Sequence, residues 1–421
     1  MRFWIDIENS AGTKQGSGPI TAALHWRSTK RLDRAGEFAF EMPATDPNAA
    51  LVTSRMVARC YAIVDGAVAE VGAGTIDSIS VRMTEDGQPL LVVSGPDLLG
   101  ELRRVVLDAR SGTWSSYDFV KDVPYKIIFL WANVKLPTTT WSLADEAGSA
   151  IGSGANVTDT AVYAKFVHES VLTGLIGVAN TTGEHFRLGT GRVVEWVNSF
   201  SSSGIHAVYG APSPVAVEGR TEIAQIANIE WIQDSQDIVN RVYLYGAGEG
   251  FYRLDLTAAD EWPDGTAIGG GSGPFTQTVD GVSLRLARTT GDASSLYSTN
   301  CLQDVTSDTT YGSNEMALAF KNIAPISNTA ADVTAAANQL LRSGFEWLKT
   351  RSNPQDFYRL SLRGLQGVVK VGQTLQVTAR RYVDGQAAIN IDQALNVLES
   401  TTEVSIDGLR TVGMVVSTTE R

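Results

Sequence analysis

Four histidines, two cysteines and a few acidic or glycine-rich clusters are the residues of this chain with chemistry to offer, and their spacing decides what they can do. His25, His168, His185 and His206 stand apart; none has a partner at metal-ligand spacing, and no H-E-x-x-H pair puts two imidazoles on one helical face. His168 lies beside Glu169 in a stretch read as helical, where a surface or half-buried imidazole is the ordinary outcome. No G-x-S-x-G elbow occurs, so no serine sits on the strained turn that makes it nucleophilic. Gly246-Ala-Gly-Glu-Gly250 has the wrong spacing for a dinucleotide fingerprint and would set Glu249 against phosphates; a bulge or tight turn accounts for these glycines. Asp260-Glu-Trp-Pro-Asp264-Gly265 gathers oxygens as a hard cation requires, but it lacks the remaining ligands of a calcium loop and reads as an acidic turn. Acids are plentiful, yet nothing marks two of them as a facing pair for glycoside hydrolysis. Cys60 lies in the apolar run Met56–Val64, as a buried thiol does, and with Cys301 forms no disulfide framework or zinc pair. The residues therefore assign no catalytic, cofactor-binding or metal site and no cofactor, and the chain reads as a protein that is not an enzyme.

Composition bounds the elements that carry these residues. At 421 residues, and about 150 per domain, roughly three compact units are expected. Hydrophobic residues at 43% and charged ones at 19% are enough to build cores and exclude a disordered chain. Forty glycines against six methionines suit a turn-rich β architecture better than a helical bundle. The net charge of −12 repels nucleic acid on average, since phosphate neutralisation supplies most of such affinity. The basic run Arg27-Ser-Thr-Lys30-Arg31-Leu-Asp-Arg34 is diluted by Asp33 and Glu37 and reads as a solvated hairpin face. The acids in Met1–Glu8 do not suit a signal peptide, so the sequons at Asn156 and Asn180 carry no meaning. No apolar run approaches the ~20 residues of a membrane-spanning segment, and the sequence predicts a soluble protein made in a cytoplasm.

Strand signals dominate the first hundred residues. Glu37–Pro43 alternates, with Phe38, Phe40 and Met42 on one face. Met56–Val64, Asp65-Gly66 and Ala67–Val71 form a hairpin, because Asp-Gly tolerates the positive φ of a tight turn. Thr75–Met83, Asp86-Gly87 and Leu90–Ser94 form another. A short helix is expected over Leu98–Leu107 with Asp97 as its cap, and a second from Thr158-Asp159 through Val162, Phe166, Val167, Val171, Leu175 and Ile176. Strands are expected over His185–Leu188 and Arg192–Val197, and a loop over Ser199–Pro214. Strand character returns over Ile226–Leu256, clearest in Asn240–Gly246. Residues 257–331 are turn-rich, with a hairpin at Asp280-Gly281. Asp332 is the expected cap of a helix with the stripe Val333, Ala337, Leu340, Leu341, Phe345 and Leu348, ending before Pro354. The last sixty or so residues are again strands.

Two distant segments share an order of elements. Arg59-Cys-Tyr61, Asp65-Gly66, Ile76-Asp77, Val81, Asp86-Gly87 and Val92-Val-Ser94 are followed in kind by Arg381-Tyr382, Asp384-Gly385, Ile391-Asp392, Val397, Asp407-Gly408 and Val415-Val-Ser417. Unequal loops exclude a solenoid period, and the pattern suggests one β-module used twice.

Trp26, Leu32-Asp-Arg-Ala-Gly36-Glu-Phe38-Ala-Phe40-Glu-Met-Pro43-Ala and Asp46-Pro47-Asn-Ala-Ala-Leu51 resemble the opening domain of tail hub proteins of tailed bacteriophages. The likeness continues to Leu107, in Asn240–Gly250, in Lys370-Val-Gly-Gln-Thr-Leu375 and in the Ile406-Asp-Gly408 ending; it covers the intervening segments poorly. The resemblance implies a mainly β fold with α+β insertions: two similar tube-type β-barrel domains, at 1–111 and at 213–256 with 352–421, plus an inserted α+β domain at 112–212 and an inserted β-rich segment at 257–351 ending in the amphipathic helix. It implies a structural hub of a phage or phage-like tail tip, a homotrimer whose doubled domains make a pseudo-sixfold ring. Its partners would be the tail tube or distal tail protein above, a fibre or spike protein below, and genomic DNA passing the lumen without specific binding; it would reside in the virion, assembled in the bacterial host cytoplasm. An acidic lumen would suit sliding DNA. A hexameric distal tail or other baseplate protein is the alternative of the same kind. A carbohydrate-binding or depolymerising β-protein is the alternative of another kind, with Trp114, Trp131, Trp141 and Trp262 as groove residues unless they pack in cores.

Overall fold

The computed structural model describes residues 3–64, 66–107, 118–136, 140–159, 161–164, 166, 169–209, 222–249, 253–270, 273–287, 300–365, 368–383, 386–407 and 410–419. His168, Val167, Trp114, Gly250, Asp65, Asp384-Gly385 and Gly408 of the sequence motifs lie outside them. The fold is mainly β.

The first strand set comprises β1 (Phe3–Glu8), β2 (His25–Arg31), β3 (Arg34–Pro43), β4 (Val57–Val64), β5 (Ala67–Thr75), β6 (Ser78–Met83) and β7 (Pro89–Pro96). β1-β4-β5 forms one sheet, and β2-β3-β7-β6 lies in another. Between them sits a core of Ile5, Ile7, Trp26, Phe38, Phe40, Met42, Cys60, Ile76 and Val93, in which the Trp26 ring stacks on both phenylalanines. The apolar alternation of β3 is thus the buried face expected of a half-covered strand. The stretch read as one strand from Thr75 changes sheets: Ile76 donates to Met56 O beside β4, and Asp77 donates to Ser94 O beside β7.

The expected helix after Asp97 is a 3-10 helix, Leu98–Arg104, and Asp97 makes no side-chain cap. Its carboxylate instead accepts the Gly36 N–H at 2.8 Å. The backbone beyond Arg104 runs extended because it is bonded elsewhere, with Val171 N–H on Val105 O and Leu107 N–H on Glu169 O.

The next stretch holds β8 (Asp118–Val120), β9 (Ser142–Ala144), β10 (Val162–Ala164), β11 (His185–Leu188) and β12 (Val193–Val197), with the helical run α1 (Val123–Lys126), a π-helical Ile127–Ala132 and α2 (Asn133–Lys135). The helix expected from residue 158 is corrected. Val162–Ala164 pairs with β8, and helix α3 begins only at Val171, where Ser170 Oγ accepts the Thr173 N–H. Val162, Ala164 and Phe166 are buried at a period of two, which the helical reading overlooked.

The second strand set is β13 (Ser201–Tyr209), β14 (Glu222–Asp234), β20 (Gln355–Arg363), β21 (Gln373–Val383), β22 (Gln386–Ser405) and β23 (Arg410–Ser417). Successive pairings β13–β14, β14–β20, β20–β23, β23–β22, β22–β21 and β21–β13 close on themselves, a barrel filled by Ile205, Ile226, Leu360, Leu375, Val377, Leu395 and Met414 among others. Ser201–Tyr209, read as loop, is therefore a strand. Its parallel neighbours on both sides supply the hydrogen bonds that its serines and glycine do not advertise.

A third sheet, β16-β17-β18-β15-β19, combines β15 (Arg241–Tyr245), β16 (Phe275–Val279), β17 (Val282–Ala287), β18 (Cys301–Asp304) and β19 (Glu315–Ala319) with helix α4 (Val305–Tyr311). The strand at Asn240–Gly246 belongs here and not to the barrel. Asp280 and Gly281 both take positive φ, as a two-residue hairpin turn demands. Helix α5 (Ala330–Lys349) buries its expected stripe against this sheet. Its cap is Thr329, whose hydroxyl accepts the Asp332 N–H, and not Asp332.

Candidate functional site: a shared sheet and its free edges

The residues with chemistry to offer are dispersed. His185 Nδ1 lies 2.6 Å from an Asp33 carboxylate oxygen and His206 Nε2 lies 2.7 Å from Thr378 Oγ1, while His25 opens β2. Among the described residues no three His, Cys, Asp or Glu side chains gather as a metal site. Both thiols are buried and free, and burial pushes Cys301 up to about 12. The Asp260–Gly265 turn is a docking loop: Asp260 and Asn338 of α5 exchange hydrogen bonds, and Asp264 accepts from the Thr266 hydroxyl and N–H. Trp131, Trp141 and Trp262 are buried, so none offers a ring to a sugar. No helix among the described residues is long and apolar enough to cross a membrane.

Sequence reading missed the buried ion pairs. Arg59 is clamped between Glu70 and Glu8; burial works against its charge, and these two carboxylates outweigh that, so its pKa rises. Arg187 donates to Glu195 at 2.7 Å and to Val371 O at 2.7 Å, and Lys370 meets Glu195 from the other side. Such pairs hold elements together and leave nothing free to react. Two buried carboxyls, Glu184 and Asp97, are instead pushed up by burial. Asp97 reaches about 6 despite the Gly36 N–H.

What the fold does assemble is a continuous sheet. The two strand sets share one strand order: β1, β4, β5/β6, β7, β3, β2 in the first corresponds to β13, β21, β22, β23, β20, β14 in the second. In the second set one long strand replaces β5 and β6. β22 pairs with β21 up to Asn396 and with β23 from Asn396 onward. Ser417 opposes Asn396 as Ser94 opposes Ser78, so the two Val-Val-Ser motifs occupy matching places. The Ile-Asp motifs do not match: Ile76-Asp77 is the crossing between sheets, whereas Ile391-Asp392 lies inside the β21–β22 ladder.

The second half of β22 keeps β23 on one edge and exchanges β21 for β2 on the other, from Arg31↔Glu399 to His25↔Ser405, and Val404 enters the core of the first set. Eight strands, β14-β20-β23-β22-β2-β3-β7-β6, thereby run edge to edge with both cores on one face. At the joint, among the described residues, the other face is bare. It carries Arg27–Glu403 at 3.5 Å, Arg31–Glu399 at 2.8 Å and hydroxyl contact of Thr29 with Thr401 at 2.9 Å.

Among the described residues two edges stay open, and they are the counterparts of the joined pair. β6 corresponds to the second half of β22 and ends the sheet; β14 corresponds to β2, and beyond Ile226 only β20 of the described strands bonds it. On the core side, the joint buries Trp26 and Val404 fully. On the same side of the open edges, Val81 is 60% exposed, Met83 64% and Trp231 50%. An unpaired apolar edge of this kind is a template for another strand.

Residues 11–165 match the family described as Siphovirus ReqiPepy6 Gp37-like protein. The sequence matches no curated protein. Among solved structures, a tail protein from Neisseria meningitidis MC58 is similar at a TM-score of 0.51 and 11% identity, over 99% of this chain and 97% of that one. A 43 kDa tail protein of prophage MuSo2 from Shewanella oneidensis is similar at 0.54 and 12%, over 99% and 97%. The prophage tail protein gp18 from Listeria monocytogenes EGD-e is similar at 0.51 and 9%, over 99% and 95%. At these identities the likeness is one of fold, and it spans nearly the whole length of each chain.

Proposed function

Taking the chain as a phage tail protein, we propose that it is the hub of a tail tip or baseplate, acting by assembly and not by catalysis. Three copies form a ring with pseudo-sixfold symmetry that joins the tail tube or distal tail protein to a distal fibre or spike, and DNA passes through the ring in the virion. The observation that carries this reading is the β22–β2 joint. One chain already contains one joint between two like strand sets, together with the two open halves of a second. Pairing β6 of one copy with β14 of the next repeats the joint between chains and buries Val81, Met83 and Trp231. Such a contact is heterologous, and it closes when the rotation per chain allows.

The dimensions suit the role. Three copies of eight strands make 24, and at ~4.8 Å between strands and ~40° tilt such a cylinder is roughly 48 Å across its backbones. The cores occupy the convex side because they need the room, so the bare face lines the lumen. A hexameric distal tail protein would carry one strand set per chain, and two in one chain favour the trimer.

The test is a pair of cysteines, Met83→Cys and Gln233→Cys, the counterparts of the facing Thr402 and Ser28 of the joint, placed in one chain; Cys60 and Cys301 are buried and silent. Mild oxidation of assembled tails should give covalently closed trimers, seen by denaturing electrophoresis and mass spectrometry. Tails that yield only uncross-linked monomer or a six-membered ring would overturn the reading.

A further inference from the structure

The bare face of the shared sheet is an ion-pair lattice. Arg82 meets Glu41 at 2.8 Å, Arg31 meets Glu37 at 3.1 Å and Glu399 at 2.8 Å, Arg27 meets Glu403 at 3.5 Å, and Arg359 meets Glu230 at 3.3 Å. With Arg363, five arginines stand against five glutamates across strands of both sets. The pairs bridge β6 to β3, β2 to β3, β2 to β22 and β20 to β14, so every ion pair joins different strands. Between them stand Thr29, Ala39, Ser94, Ser361, Thr401 and Gly413, with Val92 opposite Glu41 and Val415 between Arg359 and Glu399. The chain as a whole is at −12, so its excess acid lies elsewhere, and the acidic lumen expected from overall charge is replaced by a balanced one.

Exposed pairs of this kind add little to folding, because solvent screens them and two long side chains must be ordered. Their effect on a polyanion is larger. Affinity for duplex DNA grows with each arginine free to displace a counterion from a phosphate, and an arginine held by a carboxylate on the next strand displaces none. A purely acidic wall would repel DNA and a basic wall would grip it; a cross-strand lattice does neither. Resting on the ring proposed above, we infer that this face is a non-adhesive lining for duplex DNA, in which each paired arginine is withheld from phosphate by its glutamate partner.

The experiment replaces Glu37, Glu41, Glu230, Glu399 and Glu403 by glutamine in the full chain and measures binding of a blunt DNA duplex by fluorescence anisotropy against salt. A control variant neutralises five exposed acids off this face, Glu85→Gln, Asp86→Asn, Asp237→Asn, Glu249→Gln and Glu261→Gln. The lattice variant is expected to bind with a log–log salt slope of roughly −4 to −5, as four freed arginines together with Arg363 would give, with wild type and control binding at least tenfold more weakly. Equal binding by lattice variant and control, or tight binding by wild type, overturns the inference. Circular dichroism and a thermal melt on each variant establish that it is folded. The cross-linking result above is independent: closed trimers with no gain in DNA binding leave the hub reading intact and remove the lining, whereas failure of closure removes the hub reading whatever the DNA result.

Discussion

The two strand sets solve the same ordering of strands in different ways, and the difference lies in what each does with its edges. The second set closes on itself through the parallel pairs β13–β14 and β13–β21 and packs a barrel interior. The first set stays open, with β1 antiparallel to β4 and β2 turned away to receive β22. It compensates by bringing its two sheets close, with glycines at the approach. Gly72 lies against Trp26 and Ser28, and Gly74 against Phe38 and the Pro96 carbonyl. A closed barrel needs no partner to satisfy its edges; an open one completes itself on a neighbour. The internal joint shows that neighbour once, inside the chain.

The largest expected effect comes from severing the comparison at its shared strand. Val404 is carried by β22 but buried in the first core, so Val404→Asp leaves an unpaired carboxylate there and should destabilise the chain by about 4 kcal/mol or more. Urea unfolding should show the loss in a transition that includes both sets; loss confined to the second set would contradict the shared strand.

Next is Asp97, which only the first set possesses. Its folded pKa of about 6 lies above the ordinary 3.8, so the folded chain holds this proton more tightly than the unfolded chain does. The resulting contribution is full below pH 3.8 and lost as pH rises through 6. Two units or so correspond to about 3 kcal/mol. Asp97→Asn retains an acceptor for the Gly36 N–H, so its advantage over wild type should grow between pH 4 and pH 7 in parallel denaturation curves. A constant difference would place the proton elsewhere.

Smaller again is the contrast between glycines. Gly74→Ala has no room beside Phe38 and should cost about 1–3 kcal/mol, as overpacking does. Gly413→Ala, in the second set, meets nothing nearer than 3.9 Å and should lie within about 0.5 kcal/mol of wild type. Paired thermal melts would measure both. The smallest effect on folding belongs to Val81→Lys on the open edge, also within about 0.5 kcal/mol. Yet that substitution should abolish trimer formation by light scattering on assembled tips, and a trimer that survives it would relocate the contact.

Much of this was legible locally. The alternation of Phe38, Phe40 and Met42, the Asp280-Gly281 turn and the α5 stripe follow from short-range periodicity and backbone preference, and the structure has them. The failures share a cause. Ser201–Tyr209 looks like loop because its strand character comes from neighbours 17 residues and more away in sequence, and β10 looks helical because three apolar residues fit two periods. The cap at Asp97 failed because Gly36, from another strand, had taken its carboxylate. The candidate site was legible only as a repeated motif order. That β22 bridges to β2 across some 370 residues, and that the arginines of both sets meet glutamates of other strands, are long-range pairings no local pattern encodes.

The joint at β2 also has a mechanical side. Its seven rungs, from Arg31↔Glu399 to His25↔Ser405, lie along two antiparallel strands. A load that slides one half of the molecule past the other along those strands must shear all seven together instead of peeling them one by one. β22 is, moreover, covalently continuous from barrel to joint. Tension applied to either half therefore reaches the other through peptide bonds, and the rungs serve to spread it.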